Sequence, residues 1–122
     1  MVGRAASAGG ATNVTIGAGS TGIGNGTTRV GAGITTNNAT TSVAIGQGIT
    51  IGTGGANVVA IGQGVLTSTN TGVVAIGQGI TSVGTDAVVI GRAAISSNNS
   101  VTIGAGASSN GGTSVAIGQG LS

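Results

Sequence analysis

The chain has 122 residues, among them 28 glycines, and contains no proline, cysteine, histidine or aromatic residue. Only Arg4, Arg29, Arg92 and Asp86 are charged, for a net charge of +2. That inventory lacks almost every group used for acid–base, nucleophilic or metal chemistry, so it argues against an enzyme and implies no catalytic residue, cofactor or metal site.

Read from the N-terminus, the chain repeats on a glycine that follows a β-branched residue: Gly3, Gly17, Gly31, Gly46, Gly62, Gly77, Gly91, Gly104 and Gly118. The intervals run from 13 to 16 residues, so nine units fill residues 1–122 as one repeat domain, with no separate linker, stalk or anchor. Each unit predicts a first strand ahead of its glycine. These are Val14-Thr15-Ile16, Thr28-Arg29-Val30, Val43-Ala44-Ile45, Val59-Ala60-Ile61, Val74-Ala75-Ile76, Val88-Val89-Ile90, Val101-Thr102-Ile103 and Val115-Ala116-Ile117. The outer residues of each triplet point to one face. On hydrophobicity the expected core is therefore Val14, Ile16, Val43, Ile45, Val59, Ile61, Val74, Ile76, Val88, Ile90, Val101, Ile103, Val115 and Ile117. The middle residues form a thin opposite face.

Gly17, Gly31, Gly46, Gly62, Gly77, Gly91, Gly104 and Gly118 then open a Gly-x-Gly step in most units, read as a corner because glycine permits positive φ and close backbone approach. A second short strand follows, begun by Ile34, Ile49, Val65, Ile80, Ala94 or Ala107 and closed by polar turns such as Ser97-Asn98-Asn99. Two strands and two corners in about 14 residues make one coil of a parallel β-solenoid, and nine coils stacked at about 4.7 Å give a rod roughly 40 Å long. A helix is excluded by the recurrence of glycine, and collagen by the absence of proline and of a three-residue glycine period.

A lone coil of this kind is marginal, because ordering its backbone costs about 1–2 kcal/mol per residue while it buries few large side chains. A symmetric oligomer is the expected remedy, with the small residues Ala44, Ala60, Ala75 and Ala116 as the candidate interface.

Ser42-Val43-Ala44-Ile45-Gly46 and Ser114-Val115-Ala116-Ile117-Gly118, with near copies at Val58–Gly62 and Val73–Gly77, carry a family resemblance. They are similar to the YadA-type, or haemagglutinin-type, head repeats of trimeric autotransporter adhesins, which also look at home in phage fibres and virion surface proteins. The resemblance spans the whole chain. It implies a left-handed parallel β-roll, a homotrimer, and an adhesive or structural surface outside a cell. The sequence departs from the pattern in placing serine three residues after the frame glycine only at Ser20. No neck, stalk, anchor or signal peptide is expected from this reading, and a repeat-only chain starting at methionine would suit a virion component assembled without secretion.

Other motifs resolve into the repeat. Gly17-Ala18-Gly19-Ser20-Thr21-Gly22 matches G-x-G-x-x-G but lacks the helix and later acidic residue of a dinucleotide site. Asp86 alone cannot supply the aspartate per repeat of a calcium-binding β-helix. Three scattered arginines make no nucleic-acid surface, and no apolar run is long enough for a membrane helix. Arg4 and Arg92 share one column with Gln47, Gln63, Gln78 and Gln119. The arginines read first as solvated charges and secondly as a partner contact; the glutamines read as corner chemistry or as a polar ridge.

Three functions compete. The first is a phage virion surface component, either a capsid decoration (cement) protein or a short fibre, docked at an uncapped end to a capsid or fibre protein. The second is the head of a cell-surface adhesin that binds host matrix or glycan at the bacterial surface. The third is an ice-binding solenoid, suggested by Thr21, Thr35, Thr50 and Thr81 in one column, which Leu66 and Ile95 interrupt.

Overall fold

The computed structural model describes residues 1–82 and 84–122. They form fifteen short strands and no helix: β1 (Val14–Ile16), β2 (Thr21–Asn25), β3 (Thr28–Ala32), β4 (Thr35–Thr40), β5 (Val43–Gln47), β6 (Thr50–Ile51), β7 (Val59–Gln63), β8 (Leu66–Thr67), β9 (Val74–Gln78), β10 (Thr81–Ser82), β11 (Val88–Arg92), β12 (Ile95–Ser96), β13 (Val101–Ile103), β14 (Ser108–Ser109) and β15 (Val115–Ile117). Odd-numbered strands make one eight-stranded sheet and even-numbered strands a seven-stranded sheet. Every pairing is parallel and joins a strand to its equivalent one turn on.

The chain is thus an all-β parallel β-solenoid in which seven turns carry a strand in both sheets. The first of the nine units adds no strand to either sheet and joins the next turn through a bridge between Val2 and Ile16 and through backbone hydrogen bonds such as Ser7 N to Ser20 O (2.9 Å) and Gly9 N to Gly22 O (2.8 Å), and β15 has no strand after it in the second sheet. The register keeps the sequence columns intact: Val43, Ala44, Ile45, Gly46 and Gln47 pair with Val59, Ala60, Ile61, Gly62 and Gln63.

The facing of the first strand is the reverse of the hydrophobicity reading. Ala44, Ala60, Ala75 and Val89 are fully buried inside the solenoid. Ala44, Ala60 and Ala75 therefore cannot be an interface between copies, and Ala116, in the last turn, is half-buried on the same inward side. The core expected from Val14, Ile16, Val43, Ile45, Val59, Ile61, Val74, Ile76, Val88, Ile90, Val101, Ile103, Val115 and Ile117 is instead the outer surface of the eight-stranded sheet, every residue half-buried or exposed. The reason is volume. The residues leading into the second sheet, Ile34, Ile49, Val65 and Ile80, already project inward with Ile51 of β6, all fully buried, and the space left opposite admits little more than a methyl group. The one exception to alanine in the middle turns confirms the trade. Val89 fills the alanine column where Ala94 replaces the isoleucine or valine opposite, and both are fully buried.

Two corners close each turn. At the first, Gly64 has φ +61° and open space where a side chain would begin, and alanine adopts the same conformation at Ala93 (φ 53°) and Ala5 (φ 55°). The frame glycine just before it is more demanding. Gly62 lies at φ +136°, and a Cβ there would fall on the carbonyl oxygen of Gly77 in the next turn. The second corner is a column of left-handed residues that contains Thr41, Asn57, Asp86, Asn99 and Thr113, with φ from 49° to 56°. Each N–H of this column donates along the axis to the preceding turn, as from Thr41 to Asn25 O (3.0 Å) and from Asn57 to Thr40 O (3.1 Å). The corners thereby continue the hydrogen-bond ladder that the sheets begin.

Candidate functional site

The surface with the strongest physical signature is the outside of the eight-stranded sheet. Two side-chain columns run its length: Val14, Thr28, Val43, Val59, Val74, Val88, Val101 and Val115, and beside them Ile16, Val30, Ile45, Ile61, Ile76, Ile90, Ile103 and Ile117. Fifteen of these sixteen are apolar and none is charged. Ile45 is 40% exposed and Ile16 44%, and exposure rises to 63% at Ile117 and 69% at Val115. A chain in water does not gain from presenting β-branched residues this way, and a contiguous apolar strip of this length marks an interaction surface. The strip is legible in the sequence, but its side chains face out of the coil and not into it.

A third column borders the strip. Gln63 Nε2 donates to Gln47 Oε1 (3.1 Å), and Gln78 Nε2 donates to Gln63 Oε1 (2.8 Å), so three exposed amides form a ladder along the axis. Arg92 follows Gln78 in the same register. Gln119 lies beyond the strands and is exposed. Arg4 is exposed six turns from Arg92, about 29 Å along the axis at the usual strand spacing, so the chain does not bring the two arginines together.

Arg29 is the polar feature that its place in the middle of a strand triplet does not reveal. It is fully buried inside the solenoid. Its Nε and Nη2 donate to Thr15 Oγ1 (3.1 and 2.7 Å), and its Nη1 donates to Thr27 Oγ1 (2.6 Å) and Thr36 Oγ1 (2.7 Å). Gly22 makes room for it, since a Cβ there would meet Arg29 Nη1 at 2.6 Å. No carboxylate faces the guanidinium among the described residues, and burial lowers its pKa from the ordinary value. The recoverable signal was the combination of an arginine in the inward column with a glycine in the facing column and threonines around both. This cage is closed to solvent and serves packing.

At the β15 end, an open hollow of about 550 Å³ is bounded by Ser108, Ser109, Val115, Ala116, Ile117 and Leu121 among others, with no charged side chain. Among the described residues no three His, Cys, Asp or Glu side chains gather, and no helix is long and apolar enough to cross a membrane. The outward column of the seven-stranded sheet reads Thr21, Thr35, Thr50, Leu66, Thr81, Ile95 and Ser108, a mixture of hydroxyl and aliphatic groups. No protein-family model matches the chain, and no curated protein matches it.

Proposed function

We propose that the protein is a non-enzymatic structural rod. Three copies pack the Val/Ile faces of their eight-stranded sheets together, and the trimer reinforces or extends the surface of a virion. The observation that carries the reading is the uncharged strip of fifteen aliphatic side chains on a chain that is otherwise small, polar and glycine-rich. Burying one such side chain is worth roughly 1.5–3 kcal/mol, so even partial burial of the strip between copies yields a large total. The trimer and the left-handed winding come from the likeness to YadA-type head repeats, with all nine units contributing to the stack. Such a rod needs no chemistry of its own, which suits a capsid decoration protein or short fibre held at one end by a capsid or fibre protein.

The glutamine ladder favours a second reading. An exposed row of pre-ordered amides suits polar recognition, as in the head of a cell-surface adhesin that grips glycan or matrix. The two are separated by composition and binding. Mass spectrometry of purified particles finds the chain in stoichiometric amount if it is a virion protein. Its absence there, with saturable binding of the purified chain to a glycan or matrix panel, replaces the first reading by the second.

A further inference from the structure

The outer face of the eight-stranded sheet repeats itself every turn, and that creates a problem of register. Val43 and Ile45 stand directly under Val59 and Ile61, and those under Val74 and Ile76. If copies of the chain lie side by side, sliding one by a single turn brings valine onto valine and isoleucine onto isoleucine again. Apolar packing alone therefore distinguishes the aligned assembly from a slipped one only by the turn left uncovered at each end.

Within the strip, one polar residue breaks the repeat. Thr28 stands in the valine column between Val14 and Val43, in register with both. It is half-buried, and its hydroxyl makes no hydrogen bond among the described residues. Nothing inside the chain requires threonine there: its neighbours in the column are valines, and the pleat turns its side chain away from the buried Arg29 cluster. The partner that fits a lone hydroxyl in an uncharged aliphatic strip is another copy of the same hydroxyl at the same height.

We propose that Thr28 fixes the axial register between copies of this chain. The inference rests on the reading above that copies associate through this face. In the aligned assembly the Thr28 side chains meet at one level, where each hydroxyl can donate to one neighbour and accept from another. In an assembly slipped by one turn, Thr28 faces Val14 or Val43 of its neighbour, and its hydroxyl is desolvated without a partner. An unsatisfied buried hydroxyl is costly enough to select between registers. A single polar residue in the apolar seam of a coiled coil works in the same way, giving up stability for register. The footprint is adequate: eight strands about 4.8 Å apart and some 14 Å long give roughly 500 Å² per copy, or about 1,500 Å² over the three copies of a trimer, a total of the size found in specific assemblies. Arg92 also breaks the repeat, but it lies on the exposed rim, where water and salt screen its charge.

The test uses the full chain and a Thr28→Val variant, each with a single spin label at Gln63→Cys, since the chain has no other cysteine. Light scattering gives the number of copies, and dipolar EPR gives the distances between labels. The wild type is expected to give one narrow distance. Thr28→Val is expected to keep the same mass but to add longer distances from slipped registers, and Thr28→Ser to restore the narrow distribution. Valine is the residue of the other turns, so the variant folds. If Thr28→Val keeps the wild-type mass and the wild-type distance distribution, the inference is wrong. If the wild type itself has the mass of one chain, the association on which the inference depends is wrong, and the inference falls with it.

Discussion

Gly62 and Gly64 stand two residues apart and carry different burdens. Gly64 sits in the ordinary left-handed region with open space where a Cβ would stand, a conformation Ala93 shares. Gly62 lies at φ +136° against the carbonyl of the next turn, where a Cβ has no place to go. Gly64→Ala should cost about 1–2 kcal/mol, the usual penalty of a left-handed L-residue. Gly62→Ala should cost on the order of 3 kcal/mol or more, as a buried backbone clash that only a shift of the ladder relieves. Urea unfolding of both variants checks the contrast, and equal losses would show that the two columns do not differ as described. The Arg29 cage offers a second test at this scale. Thr36→Val removes one hydroxyl partner of a buried cation and should destabilise the fold by about 1.5–3 kcal/mol. Arg29→Lys should be at least as damaging, because a single ammonium cannot reproduce the fork that reaches Thr15, Thr27 and Thr36 together. Burial lowers the folded-state pKa of Arg29 below its unfolded value, so its contribution to stability rises only as pH climbs through the arginine range. The sign is that of a cation whose charged form burial disfavours.

In the middle turns the first strand supplies small side chains to the interior, and the residue leading into the second strand supplies a large one. Ala60 faces inward beside Val65, and Ala75 beside Ile80, all without exposed surface. Ala60→Leu should therefore destabilise the fold by about 1–3 kcal/mol through overpacking, although it adds apolar bulk. A melting temperature that rises instead would show unfilled space in the coil. The strands themselves, their pairing partners and their register were legible in the sequence, because the Val-x-Ile-Gly columns state the period outright. Their facing was not. Alternation divides a strand into two faces but does not say which is inside, and the usual guide, that the bulkier face is buried, assumes an interior with room for it. Here the coil is too narrow, and the column of Ile34, Ile49, Val65 and Ile80 had already claimed the space. Arg29 escaped notice for a related reason: its partners lie 14, 2 and 7 residues away and converge only once the turns are stacked.

Along the whole molecule the interior changes character. The middle turns are lined mainly by Ala44, Ile49, Ile51, Val58, Ala60, Val65, Val73, Ala75 and Ile80, with Ser42, Thr67 and Asn70 the buried polar residues among them. Toward one end the buried positions become Thr15, Ser20, Thr27, Arg29 and Thr36, and toward the other Ser96, Ser100, Thr102 and Ser109. Stability should follow that gradient, since units of a solenoid contribute separately and through their neighbours. Amide hydrogen exchange should be slowest in β5, β7 and β9 and fastest in β1 and β15; uniform protection along the rod would contradict it.

The candidate site belongs to this scale as well, because no single turn presents the apolar strip and eight strands in register do. Replacing Ile61 by Asp places a charge at the centre of the strip without touching the interior of the coil, and should separate the copies while leaving the single chain folded. The decisive measurement is the solution mass of the purified chain, by light scattering on a sizing column, alongside Ile61→Asp. The account predicts three chains for the wild type and one for the variant, with the same β circular dichroism in both. A wild-type mass of one chain, with the Val/Ile strip left in water, would contradict it.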